Sequence, residues 1–219
     1  METGRASRCY LALSGDLRKS RHLRDRAAVQ ERLETALHQA NRRFTGSLAV
    51  PLGVVQGDAF QALIAEPAVT IALLVALEQD LQPARFRVGL GWGPLTTPLR
   101  ASTASMDGPA FHLASAALES ARTDDAWLAI RGVAPADAEA VDGVAALLGA
   151  VRFAWSVAQS RAVAARRLHS TSKAAAESAG VSPSAISRAL KAAHYPAVLR
   201  AEAVLAGLLQ AAVTRSPCS

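Results

Sequence analysis

Two aspartates lead the residues that could do chemistry. Asp16 follows Gly15 at the end of an apolar run, and Asp58 follows Gly57 between two apolar runs. If these runs are strands of one sheet, the two carboxylates can approach each other. Two carboxylates at strand ends suit a hard cation such as Mg²⁺, which takes a few carboxylates plus phosphate oxygens. Leu17, Arg18, Lys19, Ser20 and Arg21 come directly after Asp16. They would set backbone amides and positive charge where a polyphosphate could lie. Aspartate is also a common turn former, so on residues alone both readings of Asp16 and Asp58 stand.

A second constellation lies near the C-terminus, over Ala174 to Lys191. Ala175 and Ala176 suit close helix packing, and Gly180 suits a tight turn. Ser182 is a good N-cap and Pro183 a good first-turn residue. Val181, Ile186 and Leu190 are spaced to pack inward. Ser184, Ser187, Arg188 and Lys191 would then face outward. Short hydroxyls and an arginine near a helix start can reach base edges, and a lysine suits a phosphate. The N-terminus at Ser182 can itself take a phosphate. The stretch resembles the helix-turn-helix of bacterial regulators of the MarR and sigma-factor kind.

The charge distribution agrees with that placement. The chain carries a formal +6, yet residues 1–131 hold 15 Lys/Arg against 13 Asp/Glu. From residue 151 onward the count is 9 against 2, a local +7. Such a patch is an electrostatic footprint for phosphates. The apolar share of 51% excludes a disordered chain. No apolar run reaches the roughly 18–20 residues of a membrane span, and no signal peptide is evident. Cys9 and Cys218 are too few for a disulfide framework or a metal knuckle. The expectation is a soluble, cytoplasmic protein without a membrane partner.

The elements that must position these residues follow from periodicity. Cys9–Ser14 reads as a buried strand and Arg24–Arg43 as an amphipathic helix, with apolar residues 3, 4 and 7 apart. Leu48–Gln56 and Ala59–Ile64 flank Gly57-Asp58 as a hairpin. Pro67–Gln79 reads as a helix, Arg85–Trp92 as a strand, Gly108–Arg122 as a helix and Ala126–Ile130 as a short strand. This order predicts an α+β fold: a ferredoxin-like βαββαβ domain with an addition. No strand signal follows. Alanine, at 49 residues, favours helix throughout the rest. Residues 1–132 are expected as the sheet domain, 133–169 as a helical linker and 170–219 as an all-α helix-turn-helix domain.

The segments YLALSGDLRKSR, VVQGDAFQALI, RFRVGLGWGPLTT and MDGPAFHLASAALESAR, in this order, resemble the SatD family. Behind that, residues 9–131 resemble the class III nucleotide cyclase domain. The resemblance implies that Asp16 and Asp58 match the two metal positions. It also implies that Gly108 and His112 line a nucleotide site near a helix start. The cyclase pattern carries an asparagine and, four residues on, an arginine that stabilises the transition state; those places hold His112 and Ala116. The base-selecting lysine would be Val54. Loss of a preorganised cation costs orders of magnitude in rate, so an active cyclase is not expected.

The resulting expectation is a transcriptional regulator that binds DNA as a homodimer. Its degenerate cyclase-like domain would bind a nucleotide or a cyclic (di)nucleotide second messenger, with or without Mg²⁺. Two alternatives stand beside it. One is a metal-dependent cyclase or phosphoryl-transfer enzyme using Asp16 and Asp58. The other is a scaffold with a DNA-binding tail, whose cyclase-like domain only dimerises and senses nothing.

Overall fold

The computed structural model describes residues 8–18 and 26–218. Five strands form one sheet: β1 (Cys9–Leu17), β2 (Leu48–Gln56), β3 (Ala59–Ile64), β4 (Phe86–Pro94) and β5 (Leu128–Arg131). Their order is β2-β3-β1-β4-β5. The first strand lies between β3 and β4 and is antiparallel to both, and β5 runs parallel to β4. β1 is longer than its apolar run suggests: Asp16 and Leu17 remain in register with Arg87 and Phe86.

Alternation along β1 sends its two sets of side chains to opposite layers. Leu11, Leu13 and Leu17 join α1 (Arg26–Arg43) and α2 (Thr70–Leu81) in the main core. On α1, Leu33, Ala36, Leu37 and Ala40 are buried at helical spacing. A short 3₁₀ turn, Pro67–Val69, leads into α2, so the proline starts a turn just before the helix. Tyr10 and Ala12 face the other way, toward α3 (Pro109–Thr123).

α3 connects β4 to β5 and lies almost on the backbone of β4. Gly89 and Gly91 alternate on that face. A Cβ at Gly89 would stand 2.1 Å from the Ala114 carbonyl oxygen, and one at Gly91 would stand 2.1 Å from that of Ala110. The helix answers with small buried residues, Ala110, Ala114, Ala117 and Ala121.

The rest is helical: α4 (Pro135–Phe153), α5 (Val157–Leu168), α6 (Ser172–Ala179), α7 (Pro183–Ala192) and α8 (Tyr195–Arg215). The stretch 133–169, expected as a helical linker, is helical and packs closely on its neighbours. α4 lies on β5 and α8, and Val141, Ala145 and Leu148 belong to the same core as the sheet residues. A capping box at Ser156 and Gln159 starts α5 after a 115° bend. The core continues through Ile186 and Leu190 to Leu205 and Leu209.

Two further expectations need correction. Cys9 and Cys218 are joined in a disulfide across 209 residues. Helix α8 brings the tail back to the start of β1: Trp92 Nε1 donates to the Ser216 carbonyl, and Arg215 pairs with Asp137. Also, α8 is long and apolar enough to cross a membrane by length and composition, alone among the described residues unless a bent helix pair is counted. Arg200 and Glu202 interrupt its apolar run in the sequence. Glu202 is buried against arginines, and Leu205, Leu209 and Ala212 face the core.

Candidate functional site

One end of the sheet gathers charge. Asp16, at the end of β1, faces Arg87 across the pairing with β4. Arg122, from the last turn of α3, reaches the same carboxylate: Nε and Nη2 donate to Asp16 Oδ2 at 2.9 and 2.5 Å. Arg122 also pairs with Glu119. Arg18 donates to Asp125 at 2.6 Å, and Arg87 holds the same Asp125 oxygen. The Arg18 guanidinium lies over the Phe153 ring, 3.8 Å from its centroid. That stacking is the apolar complement of a weakly hydrated cation.

The electrostatics follow from this crowding. Burial, with the neighbouring charge of Arg87, holds Arg18 below the usual arginine range. Burial also lowers Arg122, but its bonds to Asp16 outweigh that and leave it raised. Asp125 loses solvation as well, and its two arginines more than compensate, so its carboxyl lies low.

Asp58 sits in the hairpin turn beside Gly57, whose φ of 58° is the left-handed conformation glycine permits. The β1–β3 register puts this turn at the Asp16 end of the sheet. The side chains do not form a ready cation site, however. Arg122 already occupies Asp16 through two nitrogens, and among the described residues no group of three or more His, Cys, Asp or Glu could hold a metal. As arranged, Asp16 belongs to an arginine–carboxylate cluster. Leu17 is a core residue, 4% exposed, and offers no side chain to a ligand. Lys19, Ser20 and Arg21 lie outside the described residues.

Gly108 and His112 are not at this end. Gly93, near the start of α3, pairs with Tyr10, and Arg87 pairs with Asp16. Six strand residues separate the two levels, about 20 Å. His112 is exposed, and its Nε2 meets Asp107 Oδ1 at 2.8 Å. The backbone amide of Gly108 also bonds Asp107, and together these hold its carboxyl below the usual range. Gly108, at φ 151°, lies so close to Leu95 and Thr96 that a Cβ would clash with their backbone. Its role is the tight entry to α3.

The α6–α7 pair forms a separate surface. Gly180 ends α6 at φ 66°, and Val181 N bonds back to the Ala176 carbonyl. The Ser182 hydroxyl caps α7 by accepting from Ala185 N at 3.2 Å. Ile186 and Leu190 are buried, and Ser184, Ser187, Arg188 and Lys191 are exposed on the same helix. Val181 is the exception to the expected inward set, at 47% exposure. Ala175 and Ala176 are buried with Ile186 and Leu190, and the turn leaves Val181 outside. Next to α7 lies a groove whose charged lining is wholly basic: Arg166, Lys191 and Arg200, with His194.

Sequence reading missed a third cluster, which ties these regions together. Arg152 on α4 is buried, at 1% exposure, against Glu78 of α2 and, at 3.1 Å, Glu202 of α8. Its guanidinium lies 3.9 Å from the Trp127 ring centroid. Arg85 bonds Glu78 and the Ser160 hydroxyl, and Arg167 bonds Glu202. Burial pulls Arg152 down to about 9, so it remains a cation at pH 7. In the sequence each of these residues is one charge in an amphipathic helix or strand; only the packing brings them together.

The molecule is thus a mixed α+β protein: a five-stranded sheet with an arginine–carboxylate cluster at one end and a helical C-terminal region. The SatD family model matches residues 10–209, and the chain belongs to that family. No curated protein matches it. A crystal structure of the guanylyl cyclase Cya2 is similar at 15% identity, covering 53% of this chain and 73% of that one, with a TM-score of 0.39.

Proposed function

We propose that this protein is a DNA-binding transcriptional regulator in which α7 contacts the major groove. The observation that carries the reading is the division of α7. It buries Ile186 and Leu190 and exposes Ser184, Ser187, Arg188 and Lys191, beside a groove with basic and no acidic lining. Side chains of this kind reach base edges and phosphates from a recognition helix. Two half-sites require two copies, so the proposal includes a homodimer.

The sheet region would be the sensor, a ferredoxin-like core of the nucleotide-cyclase type with β5 added. The strand order, with β1 between β3 and β4, supports that reading. Arg18, Arg87 and Arg122 at one end supply the donors a nucleotide phosphate needs. The cyclase or phosphoryl-transfer alternative has less support, because Arg122 engages the carboxylate that would serve it.

Fluorescence anisotropy with a duplex DNA tests the reading. Arg188→Ala and Lys191→Ala should weaken binding and flatten its salt dependence, Lys191→Ala by about one phosphate contact. Binding like wild type by both variants refutes the assignment. Genome-wide mapping of bound DNA then names the sites.

A further inference from the structure

We infer that the groove between α2 and α8 is a binding site for an organic anion with an apolar body, of the class of a medium-chain carboxylate. The groove is open to solvent along its length and has a volume of about 760 Å³, within the usual range of small-molecule sites. One wall is α2, with Ile71, Ala72 and Val75; the facing wall is α8, with Leu199 and Ala203. These five side chains are apolar; the polar lining of the two helices is Gln79 on α2 and Tyr195 and Glu202 on α8.

The charged lining is one-sided. Arg43, Arg166, Arg167 and His169 line the groove, with Glu202 as the one acid. Glu202 is already taken, by Arg167 at 2.6 Å and Arg152 at 3.1 Å. Arg43 has only a 4.0 Å approach to Asp80. Arg166 spends one nitrogen on the His169 carbonyl, at 2.7 Å. Both guanidiniums therefore keep donors for an incoming anion. A neutral ligand of the same shape would desolvate them without a partner, which is unfavourable. The combination selects for charge at one part of the ligand and apolar surface over the rest.

The site is distinct from the Asp16 cluster and does not depend on any DNA contact. It shares Arg166, Tyr195 and Leu199 with the basic groove beside α7. An occupant that recruits Arg166 changes the charge presented there. That consequence, coupling to DNA, rests on the regulator reading; the binding itself does not.

Calorimetry on the full chain with octanoate and with octanol tests the site. Octanoate should bind saturably at one site, and octanol about tenfold more weakly, since a hydrogen bond to a charged group carries roughly that factor. Ala72→Trp and Ala203→Trp fill the groove from exposed positions and should each weaken octanoate at least about tenfold. Arg43→Gln should weaken octanoate and leave octanol unchanged. Leu147→Ser, on a separate apolar patch, should bind octanoate as wild type. Absence of octanoate binding, equal affinity for octanol, or wild-type affinity in both tryptophan variants overturns the site. Duplex DNA titrated with and without octanoate separates the two proposals. A shift in DNA affinity that Ala203→Trp abolishes supports the coupling, and no shift removes it. No DNA binding under either condition removes the regulator reading and leaves the site standing.

Discussion

Arg122 holds Asp16 across 106 residues of sequence, with Nε and Nη2 both on the same carboxylate oxygen. The pair joins the last turn of α3 to the end of β1. Removing the arginine leaves a largely buried carboxylate short of donors. Arg122→Gln should lower the urea-unfolding free energy by about 1 kcal/mol, the upper range for a partly exposed pair. Asp16→Asn should cost a similar amount. The double variant should cost less than the sum, and a double-mutant cycle reads the coupling directly.

Asp125 gives a pH signature. Its folded carboxyl is held low by Arg18 and Arg87. A depressed carboxyl contributes stability above its unfolded value of about 3.9 and loses it as pH falls through the folded value. Asp125→Asn should therefore be less stable than wild type at pH 7. The gap should close below about pH 4. The side chain is 65% exposed, so the effect is small, under about 1 kcal/mol. Urea midpoints of both proteins across this pH range check it.

What the sequence made legible was local. Gly180, Ser182 and Pro183 mark a stop, a cap and a start, and α6 and α7 begin and end there. Gly57-Asp58 marks the turn between β2 and β3. These signals depend on a few adjacent residues. The Asp16 end of the sheet was half legible: Asp16 and Arg18 stood out, but Asp125, Arg87 and Arg122 did not. Arg87 looked like the polar position of an alternating strand, and Arg122 like the polar end of a helix. Only the crossover from β4 through α3 to β5 carries Arg122 back to β1. The Cys9–Cys218 bridge and the Arg152 cluster are hidden for the same reason, since both depend on where α8 lands. His112 lies at the start of α3, about 20 Å from the Asp16 end of the sheet, a separation that the motif match did not show.

The seating of α3 on β4 predicts a sharp contrast between two strand glycines. Gly91→Ala would place a methyl 2.1 Å from the Ala110 oxygen and 2.3 Å from Ala114 N. Neither backbone atom can move without lifting the helix. The substitution should cost about 3 kcal/mol or more. Gly53→Ala, in β2, meets nothing within 4 Å and should stay within about 0.5 kcal/mol of wild type. Thermal or urea unfolding of the pair measures the difference.

The Arg152 cluster makes the firmest prediction about what holds the helical region on the sheet. Arg152 is buried between Glu78 and Glu202, on helices 124 residues apart in the chain. Arg152→Met keeps the apolar stem and the contact with Trp127, and removes only the charge. Two buried carboxylates then lose their shared cation, although Arg85 still serves Glu78 and Arg167 still serves Glu202. Breaking a buried pair from one side costs about 3–5 kcal/mol, and the retained arginines put this site at the lower end. Adding Glu78→Gln to Arg152→Met removes one of the stranded charges and should recover part of the loss. The same reasoning sets the direction for Glu202→Gln alone, which leaves Arg167 and Arg152 competing for fewer acceptors and should destabilise. Urea unfolding followed by tryptophan fluorescence suits the measurement, because Trp127 and Trp155 both lie against Arg152. Wild-type stability in Arg152→Met would show that apolar packing alone fixes α4 and α8 in place.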